Sequence, residues 1–99
     1  MSEGPGDAEV QPGESGQALP QPTLIVHVFH LAAQVGMALG ETENPVTGER
    51  ETELRVARFL IDTIAMLEAK TRGNRSAEED EYLSGVLANL RMAYVRKGG

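Results

Sequence analysis

Residues 70–97 read KTRGNRS from Lys70 to Ser76 and then AEEDEYLSGVLANLRMAYVRK from Ala77 to Lys97. The stretch decides the fold because it holds a helix end, a tight link and a helix start in succession. Ser76 followed three residues later by Glu79 is a capping box, in which each side chain bonds the other's backbone N–H. Glu78, Asp80 and Glu81 load the first turn and Arg96 and Lys97 the last, which suits both ends of the helix dipole. Leu83, Val86, Leu87, Leu90 and Tyr94 recur at helical spacing. The pattern predicts a helix over 77–97. Upstream, Gly73 is the expected left-handed C′ residue of a preceding helix, with Lys70 and Arg72 at its negative end. So short a link makes the two helices antiparallel neighbours.

Working outward, Leu54, Ala57, Ile61, Ile64 and either Leu60 or Leu67 predict the second helix over 52–72. Residues 41–53, ETENPVTGERETE, form a connector with turn chemistry at Asn44-Pro45 and Thr47-Gly48. Residues 23–40, TLIVHVFHLAAQVGMALG, hold β-branched and aromatic residues that would also suit a strand. Their length and Ala-rich second half favour a first helix, with Thr23 as N-cap and Gly40 at its end. Residues 1–22 hold four of the five prolines and only Val10 and Leu19 as sizeable apolar side chains. They offer nothing to offset the entropy of ordering and read as a disordered acidic tail. The expected fold is all-α. Helices 2 and 3 form an antiparallel pair, the apolar helix 1 packs across it, and residues 23–97 make one domain.

The chain has 99 residues, a formal net charge of -6 and no cysteine. Disulfides and thiolate metal sites are excluded, and the composition suits a reducing cytoplasm. The basic residues Arg55, Arg58, Lys70, Arg72 and Arg75 are sparse, so broad phosphate-backbone binding is disfavoured. The tail carries Glu3, Asp7, Glu9 and Glu14 with no Lys or Arg, unlike a signal peptide. The apolar run Leu24–Leu39 is interrupted by His27, His30 and Gln34 and is shorter than the roughly 20 residues a spanning helix needs.

Candidate chemistry is scarce. His27 and His30 stand three apart, a spacing that can place two imidazoles on one metal, but two ligands make no complete site. A polar stripe of His27, His30, Gln34 and Glu41 explains them better. Lys70–Asn74 is not a phosphate loop: it has one glycine and follows a helix. Arg58 and Asp62 are an i, i+4 pair. A sharper expectation is that Asp62 reaches Arg91 or the Tyr94 hydroxyl and fixes the register of helices 2 and 3. No nucleophile–base set or paired acid/base carboxylates can be assembled, so no enzyme activity and no cofactor or metal are expected.

A core this small has little other support and commonly gains it from a partner subunit. Phe59 and Met66 lie opposite the main arc of helix 2. Gly85, Ala88, Met92 and Val95 lie opposite the stripe of helix 3. These six are the expected contact residues of a homo-oligomer, most simply a dimer, that binds another protein. The alternatives are an RNA- or ribosome-associated factor using Arg55, Arg58, Arg72 and Arg75, and a membrane-surface protein using helix 1.

The stretch from Phe29 to Val95 also resembles a bacterial family of small proteins known as domain of unknown function 1844. The resemblance rests on Pro45-Val46-Thr47-Gly48, Leu54, Ala57-Arg58, Ile61-Asp62 and Leu67. It continues through Lys70-Thr71-Arg72-Gly73-Asn74, Glu79, Leu83, Leu87, Leu90-Arg91 and Tyr94. The family pattern places an apolar residue and Thr after Gly-Asn, where this chain has Arg75 and Ser76. The resemblance implies a small helical cytoplasmic protein and supplies no activity, substrate or cofactor.

Overall fold

The computed structural model describes residues 18–99 and contains three helices: α1 (Leu24–Ala38), α2 (Leu54–Lys70) and α3 (Ala77–Arg96). No strand forms among the described residues; one isolated antiparallel bridge joins Leu39 to Thr52. Residues 18–22 are exposed and without regular structure, and the rest of the expected tail, residues 1–17, lies outside the described residues.

Helix α1 starts where Thr23 accepts a hydrogen bond from the Val26 N–H at 3.1 Å. It ends in a Schellman motif: Gly40 N–H donates to the Met37 carbonyl (3.0 Å) and Glu41 N–H to the Gly36 carbonyl (2.9 Å). Gly40 has φ +76°, and a Cβ there would lie 2.7 Å from the Thr52 hydroxyl. The glycine is thus required by backbone conformation and by a close approach together. The connector folds back through that contact, with Glu53 N–H donating to the Ala38 carbonyl at 2.6 Å. Inside it, Asn44 Oδ1 accepts from Val46 N–H at 2.8 Å, an Asx turn before Gly48. This pairing takes residues 39–40 and 52–53 out of the helices, so α1 ends before and α2 begins after the bounds expected from 23–40 and 52–72, while the cap at Thr71 ends α2 two residues early. Helix α2 opens at Glu53 with no side-chain cap, and its first turn carries no acid.

The α2–α3 link follows its local chemistry. Gly73 has φ +84°, as expected. Helix α2 is capped earlier, at Thr71, and Asn74 N–H donates to the Thr71 carbonyl at 2.9 Å. Gly73 is therefore the third residue of a tight turn after the cap, not the C′ residue itself. Ser76 Oγ accepts from Glu79 N–H (3.1 Å) while Ser76 N–H donates to Glu79 Oε1 (2.8 Å), completing the capping box.

Each helix touches the other two. The core joins Val28, Val35, Ala38 and Leu39 from the first, Ala57, Leu60, Ile61 and Ile64 from the second, and Leu83, Leu87 and Ala93 from the third. No polar or charged side chain is buried among the described residues. The α2–α3 pair thus presents one face to α1 and leaves the other open.

Candidate interaction surface on the second and third helices

The open face carries the apolar side chains singled out by spacing. Phe59 is 69% exposed, Val95 65%, Met92 55% and Met66 46%. At 100° per residue, Phe59 and Met66 stand across α2 from Ala57, Ile61 and Ile64, all of which are buried. Met92 and Gly85 stand likewise across α3 from buried Leu83 and Leu87, and Gly85 and Ala88 are exposed.

Two shallow depressions join the helices at the end away from the link. One, of about 450 Å³, is lined by Leu54, Arg55, Arg58, Phe59, Asp62 and Tyr94. The other, of about 340 Å³, shares Arg58, Asp62 and Tyr94 and adds Ile61, Arg91 and Val95. Arg91 and Val95 continue into an apolar hollow with Met92 and Arg96. Phe59, Tyr94, Val95 and Met92 therefore belong to one continuous surface. Met66, Gly85 and Ala88 lie toward the link and line none of these hollows.

Asp62 does not bridge the two helices as expected. Its partner is Arg58 on its own helix, at 3.2 Å, with both side chains more than half exposed. An i, i+4 partner lies within reach without any tertiary contact, so it wins over Arg91 and Tyr94. The group that faces Tyr94 is Arg58: the Tyr94 hydroxyl first, and Asp62 after it, raise its pKa above the ordinary guanidinium range. No Arg58–Tyr94 contact reaches full hydrogen-bond geometry, so this is proximity across the groove and not a fixed bond. Burial raises the Tyr82 phenol above its usual value.

The basic face expected from Arg55, Arg58, Arg72 and Arg75 does not exist as one surface. Arg72 pairs with Glu68 at 3.2 Å. Arg75, only 10% exposed, donates from Nη1 to the Glu68 carbonyl at 3.1 Å, and its Nε lies 2.8 Å from Asp80 Oδ1. That last N–H lacks hydrogen-bond alignment, so the contact is an ion pair only. Arg75 thus ties the end of α2 to the start of α3, a role that spacing along one helix could not reveal.

His27 and His30 are both exposed, as is Gln34. No group of three or more potential metal-ligating side chains exists among the described residues. No described helix is long and apolar enough to cross a membrane.

No match was found among curated proteins or among solved structures. A family model matches residues 21–96, which covers all three helices and both links. The chain belongs to the family described as Domain of unknown function (DUF1844).

Proposed function

We propose that this chain is a non-catalytic protein-interaction module of the cytoplasm that self-associates as a dimer through the open face of α2 and α3. The observation that carries this reading is the exposure of Phe59, Met66, Met92 and Val95 on one side of a helix pair whose other side is filled by α1. Soluble monomers rarely leave contiguous apolar patches larger than a few hundred Å². A cysteine-free chain suits a reducing compartment. The polar side chains lining the hollows of the open face are arginines, Asp62 in a pair with Arg58, and Tyr94, a set that forms no nucleophile–base pair. Phe59→Ser combined with Met92→Ser is expected to lower the sedimenting mass to that of one chain while leaving helical circular dichroism intact. Unchanged mass in that variant would remove the face from the account.

RNA association is the competing reading. Arg55, Arg58, Arg91 and Arg96 gather at the open end beside Phe59 and Tyr94 and favour it. The net charge of -6, and the engagement of Arg72 and Arg75 within the fold, oppose it. Affinity for single-stranded RNA that falls steeply with salt would favour this second reading.

A further inference from the structure

From the charge pattern of the exposed face of α3, we infer that the second copy docks antiparallel. The two α3 helices cross about a two-fold axis that lies between Gly85 and Ala88. The inference rests on the self-association proposed above and adds its geometry. A two-fold interface sets one surface patch against itself, so the patch must be self-complementary.

The exposed face of α3 has that property. Its first turns carry Glu78 and Glu81, its middle Gly85 and Ala88, and its last turns Met92, Val95 and Arg96, all exposed. Glu78, Glu81, Arg91 and Arg96 form no ion pair among the described residues, whereas Asp80 is engaged by Arg75. The midpoint of Gly85 and Ala88 is also, to within one residue, the midpoint of Glu78 and Arg96 and of Glu81 and Arg91. Antiparallel docking about that point therefore sets Glu78 against Arg96 of the second copy and Glu81 against Arg91, with the reciprocal pairs at the other end. Met92 and Val95 then lie over the partner's first turns. The small residues at the centre let the two backbones approach closely. The helix dipoles also run oppositely.

The other two-fold arrangement places the axis along the helices and stacks α3 on the partner's α2. It brings the open ends together, so Arg55, Arg58, Arg91 and Arg96 of one copy face the same four of the other. Among the residues that line the hollows at that end Asp62 is the one acid, and like charges juxtaposed across an interface are strongly unfavourable. The charge pattern thus selects between the two orientations.

The absence of cysteine allows the full chain to report the orientation by single-cysteine cross-linking with a short bismaleimide. Residue 88 lies close to the proposed axis, about 4–5 Å from its counterpart along the helix at 1.5 Å per residue, whereas residue 95 lies about 25 Å from its own. Ala88→Cys is expected to cross-link efficiently into dimers and Val95→Cys to do so at least tenfold less. The double variant Glu78→Cys/Val95→Cys should cross-link as well as Ala88→Cys. As a second readout, Glu78→Arg should weaken dimerisation about tenfold, and adding Arg96→Glu should restore most of it. If Val95→Cys cross-links as readily as Ala88→Cys, or the charge swap fails to restore assembly, the antiparallel geometry is wrong while self-association stands. If wild-type protein sediments as one chain, self-association and its geometry fall together.

Discussion

The two faces of the α2–α3 pair are built from similar residues and have opposite fates. One presents Ala57, Ile61, Ile64, Leu83 and Leu87 to α1 and is sealed. The other presents Phe59, Met66, Met92 and Val95 and is open. Helical periodicity accounts for the first set, since it matches a single buried stripe. It does not account for the second, which a chain selected only to fold as a monomer has no reason to keep. The difference lies in what covers each face: a helix of the same chain in one case, a second chain in the proposal made here.

The largest effect that sharpens this contrast is expected on the sealed face. Leu83→Ala and Ile64→Ala each truncate a fully buried side chain and should cost about 2–5 kcal/mol of folding stability. Urea denaturation at concentrations too low for association would measure it. Under the same conditions Met66→Ala and Phe59→Ala should cost less than about 0.5 kcal/mol, because they remove exposed atoms. At higher concentration they should weaken assembly. If the two sets cost the same in the dilute chain, the distinction between the faces fails.

Next in size is the link that fixes the pair. Arg75→Ala removes a charged hydrogen bond to the Glu68 carbonyl and the ion pair to Asp80, and should cost about 1.5–3 kcal/mol. Arg75→Lys keeps the charge without the fork and should recover only part of it. Gly73→Val forces a branched side chain into φ +84° and should cost at least about 1 kcal/mol, with Gly73→Asn milder. Equal losses for Val and Asn at residue 73 would mean that the left-handed conformation is not the reason for the glycine. Ser76→Ala removes one half of the capping box and should cost about 1 kcal/mol by thermal melting.

The smallest effect is expected at the groove. Asp62→Asn should change stability by no more than about 0.5 kcal/mol, since its exposed pair with Arg58 lies within one helix. A loss several times larger would restore the idea that Asp62 fixes the register between helices.

What the sequence revealed tracks how local the deciding interaction is. Ser76 with Glu79 and the left-handed Gly73 were legible because their partners lie within a few residues. The stripes of α2 and α3 were legible because burial repeats with the helix period. The ends of α1 and α2 were not, because the bridge of Leu39 to Thr52 and the approach of Gly40 to Thr52 join residues far apart in sequence. By sequence alone Arg75 reads as part of a basic face for the same reason: Glu68 and Asp80 meet it only once the link has folded. For Asp62, the nearby Arg58 outcompeted the tertiary partners assigned to it. The exposed set Phe59, Met66, Gly85, Ala88, Met92 and Val95 could be placed on a face by spacing, but spacing does not say what covers a face.

The most direct test of the central claim is the mass of the full chain by sedimentation equilibrium at micromolar concentration in physiological salt. A mass of twice 10.7 kDa, falling toward 10.7 kDa on dilution and in the Phe59→Ser/Met92→Ser variant, is the predicted result. A monodisperse 10.7 kDa species with intact helicity across the accessible concentration range would contradict it.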